Sequence, residues 1–277
     1  MPQIINTNVM SINSQRALNM SQKSMATSLE RLSSGLRINR AADDAAGLAI
    51  AERFTSQVRG LSQAIRNAND GISMAQTGEG AMSEITNSFQ RMRELAVQAA
   101  NGIYNDSDRT SLDLEYQELR QEVSRIISST EFNSQSILAS TSAIDFQVGF
   151  KDSVNDRITL STVNLSTNTD MTPITSAANG ITTVSAARSV LALLSTAINT
   201  VTALRAEYGA AQNRLESTIR NLENVIENQS AARSRIMDAD FAQETANLTR
   251  TQILQQAGTA MLAQANQLPQ NVLSLLG

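Results

Sequence analysis

Apolar residues recur along this chain mostly in steps of four and three, and switch to steps of two only once. Between about Ser14 and Leu36, Leu18, Met25, Leu29, Leu32 and Leu36 fall on one stripe, with Gln22 as the polar interruption. Between about Phe241 and Leu276, Leu254, Ala257, Met261, Ala265, Leu268, Val272 and Leu275 do the same, and Leu262 adjoins them. The pattern predicts a helix at each end of the chain, each with a seam that needs a partner. Chain ends are more often polar and mobile. Two thin amphipathic helices are marginal in isolation, because ordering their backbones consumes most of what their seams return. The ends are therefore expected to complete their folding against further copies of themselves, which makes the chain a polymer subunit.

Gln3–Thr172 contains no proline, which favours long helices. Asp43 or Asp44 is placed to cap a second helix. Its seam reads Phe54, Val58, Leu61, Ile65, Ala68, Ile72 and Ala75. Gly78 and Gly80 flank a predicted change of phase, after which Met82, Ile85, Phe89, Met92, Ala96 and Ala99 carry the stripe. Run without a break to Ala100, this helix would be about 85 Å long. Asn101-Gly102 closes it, and Asn105-Asp106-Ser107-Asp108 opens a third helix with Leu112, Tyr116, Leu119, Val123 and Ile126 on its seam. The period then becomes two. Ile144, Phe146, Val148 and Phe150 alternate with smaller or polar residues and are answered by Ile158 and Leu160, a β-hairpin. Thr159–Gly180, rich in Ser, Thr and Asn, reads as an exposed, solvated loop. A fourth helix runs from Val184 through Leu194, Val201, Tyr208, Leu215 and Leu222 towards Arg235.

The fold class expected is mainly α: an elongated rod of long antiparallel coiled-coil-like helices built from paired N- and C-terminal segments, with a small β-hairpin region at its tip. Residues 1–42 and 235–277 form an inner domain of paired terminal helices. Residues 43–234 form an outer rod domain, with helices at about 44–100, 106–130 and 184–234 and the hairpin and loop at about 131–183.

Composition narrows the chemistry. The chain of 277 residues has no Cys, His or Trp, and only six Phe and three Tyr, too few aromatics for a broad core. Without Cys or His there are no disulfides, thiolate metal sites or imidazole bases. Twenty-two basic against 26 acidic residues leave a net charge of −4, which disfavours nucleic acid as a general partner. Only Lys23 and Lys151 are lysines; the arginines that supply the remaining positive charge suit fixed carboxylate pairing. The opening Met1–Met10 lacks the basic and apolar regions of a secretory signal, and no apolar run approaches a membrane span. Export, if it occurs, is expected by another route.

Long blocks at both ends resemble bacterial flagellin. They are LERLSSGLRIN (Leu29–Asn39), DDAAGLAIAERF (Asp43–Phe54), RNANDGISMAQTGEGA (Arg66–Ala81) and RELAVQAANG (Arg93–Gly102). Near the C-terminus they are GAAQNRLES (Gly209–Ser217), AARSRIMDADFAQE (Ala231–Glu244) and QILQQAGTAMLAQANQLPQNVLSLLG (Gln252–Gly277). The likeness covers about Met1–Phe132 and Val184–Gly277. It implies a subunit of the extracellular flagellar filament. The terminal helices would line a central channel, and the chain would be exported unfolded by the flagellar type III apparatus. Implied partners are the chain itself, the flagellar cap and hook-junction proteins, and an export chaperone on the C-terminal helix, with no nucleic acid and no membrane. Larger flagellins carry outer domains where this chain has only Thr159–Gly180. A hook–filament junction protein shares the architecture and is the alternative within the same class.

The same resemblance singles out Phe89, Arg91, Leu95, Gln98 and Glu118 as one face that mates with neighbouring protofilaments and that a flagellin-sensing Toll-like receptor reads on the free chain. Other constellations read as structural. Asp43 and Asp44 cap a helix, since adjacent residues diverge by about 100° and cannot converge on one substrate. Asp238 and Asp240 lack a third oxygen ligand for a cation, and TGEG lacks the lysine and strand of a phosphate loop. No catalytic, cofactor-binding or metal residues are expected, and no enzyme.

Overall fold

Asn8 opens the first helix by accepting a hydrogen bond from Ser11 N on its side-chain oxygen, 3.1 Å away. The structure, a computed structural model, describes residues 7–176 and 179–273, with side chains as far as residue 267. Six helices and two small antiparallel strand pairs follow in chain order. They are α1 (Val9–Ser34), α2 (Ala45–Ala99), α3 (Asp106–Ser129), β1 (Glu131–Phe132), β2 (Gln135–Ser136), β3 (Ala143–Gln147), β4 (Arg157–Ser161), α4 (Thr172–Thr175), α5 (Val184–Met237) and α6 (Phe241–Leu273). The fold is mainly α. It divides into two units, Met1–Val58 with Glu227–Gly277, and Arg59–Ile226.

In the first unit α1 ends at Gly35, whose φ of 71° lets its N–H turn back to Arg31 O at 2.8 Å. A β-bridge then joins Leu36 to Asp238 in antiparallel sense, flanked by Arg37 N to Met237 O (2.6 Å) and Ala239 N to Gly35 O (2.9 Å). Asp44 caps α2 through Oδ1 on Gly47 N at 2.8 Å. Asp43 instead holds the preceding turn, accepting from Asn39 N and Arg40 N. Those two backbone bonds keep its carboxyl below the ordinary range. Asp240 opens α6 by accepting from Ala242 N.

In the second unit α2 and α5 run antiparallel, since Gly78 meets Tyr208 while Gly71 meets Leu215. The buried stripe of α2 reads Leu61, Ala64, Ala68, Gly71, Ala75, Gly78, Met82, Ile85, Phe89, Met92, Ala96 and Ala99, unbroken steps of three and four. The change of phase expected at Gly78 does not occur. Gly71 and Gly78 are themselves seam residues, hidden from an apolar count because they bury backbone rather than side chain. Arg109 fastens the α2–α3 turn, donating from Nε to Ala99 O (3.1 Å), from Nη2 to Asn101 O (3.2 Å) and from Nη1 to Asp106 Oδ1 (3.1 Å).

The hairpin pairs Ile144 with Leu160 and Phe146 with Ile158. Val148, Ile158, Ala68 and Leu215 share one core, and Asn67 Nδ2 donates to Gln147 O at 3.0 Å. The following segment corrects the expectation of an exposed loop over Thr159–Gly180. Thr162, Leu165, Met171 and Ile174 are buried. The segment is strapped down by Arg120 Nη1 to Thr175 O (2.9 Å), Ile181 N to Asp113 Oδ1 (2.7 Å) and Thr200 Oγ1 to Asp170 Oδ2 (3.0 Å). Its scattered apolar residues lack periodicity because they dock one at a time. One window of α5 is apolar enough to span a bilayer by composition, yet Val190, Leu194, Ala197 and Val201 of that helix lie in the core of this unit.

Candidate assembly interface

The seam between α1 and α6 alternates small or polar residues with Leu and Met. On α1 the positions turned inward are Ser11, Ser14, Leu18, Ser21, Met25, Ser28 and Leu32, and on α6 they are Glu244, Leu248, Thr251, Gln255, Gly258, Leu262 and Ala265. Ser11, Ser28, Glu244, Thr251 and Ala265 are the most deeply buried of these. Small side chains let the helices approach closely: a Cβ on Gly258 would lie 3.2 Å from Leu18 Cδ1.

Hydrogen bonds run the length of the pair. Asn8 Nδ2 donates to Ala265 O (2.7 Å), Ser11 Oγ to Asn266 Oδ1 (2.9 Å) and Ser21 Oγ to Thr251 O (3.1 Å). Near the bridge, Ser28 Oγ donates to Glu244 Oε2 at 2.9 Å and Arg31 Nη1 to Glu244 Oε1 at 3.0 Å. Glu244 is only 7% exposed. Burial pushes its carboxyl up, but the bonds from Arg31 and Ser28 outweigh that and hold it below the ordinary range.

This geometry redistributes the predicted seam. Leu18, Met25, Leu32, Leu36 and Leu262 are half-buried. Leu29, Leu254 and Met261 point outward, at 53%, 52% and 63% exposure. Side chains at Leu268 and Val272 lie beyond those described, and Leu275 lies outside the described residues. Of the described large apolar residues placed on the seam, Leu29, Leu254 and Met261 alone face out; the inward positions of α1 alternate Ser with Leu or Met. Val9, Met10, Met20 and Ile253 join that outward set. These residues leave large apolar side chains of both helices open to solvent in the single chain.

The second candidate face divides in the same way. Phe89 and Leu95 are buried in the core, whereas Arg91, Gln98 and Glu118 are exposed. Arg91 donates to Glu115 Oε1 (2.8 Å) and Glu94 Oε2 (2.9 Å), and Gln98 Nε2 to the Tyr104 hydroxyl (3.2 Å). Only the polar trio is open to a partner.

Comparison with known proteins decides the family. The description "Bacterial flagellin N-terminal helical region" matches residues 5–143, and "Bacterial flagellin C-terminal helical region" matches residues 191–276. The chain belongs to the bacterial flagellin family. This flagellin is 46% identical over 275 residues to a flagellin of Halalkalibacterium halodurans, covering 99% of each chain. It is 42% identical to Flagellin FlaB2 of Treponema pallidum, again over 99% of each. The crystal structure of Bacillus cereus flagellin is similar with a TM-score of 0.51 and 33% identity, covering 57% of this flagellin and 88% of that chain. At 277 residues it is a short flagellin without large outer domains.

The reading of the sequence missed Ser28, Arg31 and Glu244. A signal was present: Ser14, Ser21 and Ser28 recur every seven residues, the spacing of a seam position occupied by a small residue.

Proposed function

We propose that the exposed apolar residues of α1 and α6, Leu29, Leu254 and Met261 among them, form the surface through which subunits bury one another's ends. The flagellin is a structural subunit of the flagellar filament, an extracellular polymer for motility. The observation that carries the proposal is the division of labour on the terminal helices. Their seam, small or polar residues alternating with Leu and Met, is spent within the chain, and a further set of large apolar residues is left outside it. An amphipathic pair with its apolar side open gains most of its stability only when neighbours cover it, so folding of the ends is coupled to assembly.

In this reading residues 1–42 and 235–277 form the inner layer around a central channel, and 43–234 the outer layer. The cap and hook-junction proteins meet the chain as it adds to the growing end. An export chaperone covers the apolar row of the C-terminal helix beforehand, and a Toll-like receptor meets the free chain at Arg91, Gln98 and Glu118. No enzymatic activity is assigned.

The test is to seed purified full-length chain with short filament fragments and image the product by electron microscopy. Growth of smooth tubes from the seeds supports the proposal. A chain that stays dispersed, or only decorates seed ends without elongating them, would refute it and favour a junction protein.

A further inference from the structure

The α1 seam is nearly periodic. Ser14 with Leu18, Ser21 with Met25, and Ser28 with Leu32 repeat the same small-then-large pair every seven residues. A slide of α6 by seven residues would therefore present it with an almost identical surface. Two polar ties between the helices are indifferent to such a slide, because they end on main-chain oxygens that every residue of α6 offers. Ser21 bonds to Thr251 O and Asn8 to Ala265 O. The Leu36–Asp238 bridge is not indifferent: it holds the chain where it enters α6, and seven residues to either side the chain is helical and its main-chain groups are already bonded.

Among the described residues of α1 and α6, the ties between two side chains are Ser11 to Asn266, and Ser28 and Arg31 to Glu244. The first is neutral. Glu244 alone brings a charge into the seam. Slid seven residues one way, Glu244 would face Ser21 and Ser24; slid the other way, Gly35 and Ile38. Neither alternative has a cation at the place of Arg31, so the carboxylate would sit in the seam without its partner, an unfavourable arrangement.

We propose that Ser28, Arg31 and Glu244 form a register lock that, together with the bridge beside it, selects one alignment of the terminal helices from a set related by heptad slides. The other seam residues supply packing common to every alignment; the lock and the bridge supply the choice. It acts within one chain and stands whether or not the outward row is the assembly surface.

The chain has no cysteine, so paired cysteines report alignment directly. In full-length protein, oxidised both free and during growth on filament seeds, Ser21→Cys with Thr251→Cys reads the alignment described here, and Ser14→Cys with Thr251→Cys reads a seven-residue slide. With the lock intact, mild oxidation forms the first disulfide and little of the second. Glu244→Ala and the isosteric Glu244→Gln each raise the second relative to the first by about fivefold or more, as expected once no unpaired charge opposes the slide. Exchanging the charges, Arg31→Glu with Glu244→Arg, restores the parent ratio. The proposal is overturned if the ratio stays at the parent value in both Glu244 variants. It is equally overturned if charge exchange fails to restore it, or if the intact chain does not form the 21–251 disulfide.

Discussion

A Cβ atom added to Gly78 would stand 2.6 Å from Cε2 of Tyr208, so the closest approach of α2 to α5 in the second unit depends on a missing side chain. Gly80, two residues on, has nothing within 4 Å of the same position. The two glycines are expected to respond oppositely to alanine. Gly80→Ala removes backbone freedom from an exposed helical site and should stabilise by about 0.5–1 kcal/mol. Gly78→Ala gains the same propensity but forces a buried ring aside, and should destabilise by roughly 1–3 kcal/mol. Urea unfolding of the two variants, monitored by circular dichroism, checks the sign of each.

Arg109 supports the turn between α2 and α3 by satisfying two carbonyls at the end of α2, Ala99 O and Asn101 O. Arg109→Met keeps much of the packing but leaves those carbonyls without their charged donor. A loss of about 2 kcal/mol is expected, within the range for hydrogen bonds to charged groups. Thermal unfolding of the variant measures it, and hydrogen exchange should show fraying confined to residues near 97–106.

Tyr116 and Tyr208 should govern the alkaline limit. Burial pushes both hydroxyls up to about 12. Each prefers to stay protonated in the folded chain, so stability is intact below the ordinary tyrosine value of 10 and is lost as pH rises from there towards 12. The Tyr116 hydroxyl is buried without a hydrogen-bond partner. Tyr116→Phe should therefore stabilise the chain by about 1 kcal/mol, since an unmet polar group is removed from the core. It should also flatten the alkaline loss, as unfolding scans between pH 9 and 12 would reveal.

At the acid limit the sign reverses. Glu244 is held below the ordinary glutamate value of 4.5, so the stability it lends the terminal pair is present above that value. It disappears as pH falls through the lower folded value. The gap in thermal midpoint between parent and Glu244→Gln should be widest near neutrality and close on acidification. A gap that is constant with pH would show that the carboxylate charge is not what stabilises the pair.

Much of this was legible in the chain. The starts of α2 and α3 were written in Asp44 and Asn105, whose side chains cap them. The hairpin showed in the alternation of Ile144, Phe146 and Val148 against Ile158 and Leu160. The phase of the seams was harder, for one physical reason. Where helices approach closely the buried position belongs to Gly, Ser or Ala, and a search for large apolar residues settles on the neighbouring row. That is why Leu254 and Met261 were read as inward, and why Gly78 was read as a break in a stripe that it continues. The segment from Thr162 to Ile174 was missed because its buried residues follow no period; they are held by single partners such as Arg120 and Asp113.

The most direct test of the assembly surface is to place a charge on the outward row. Leu254→Asp with Met261→Asp changes two residues that touch solvent in the single chain, so the helical content and unfolding midpoint of the free protein should match the parent. Seeded with filament fragments and centrifuged, the double variant is predicted to remain in the supernatant while the parent sediments as polymer. Sedimentation of the variant to the parent's extent would contradict the account.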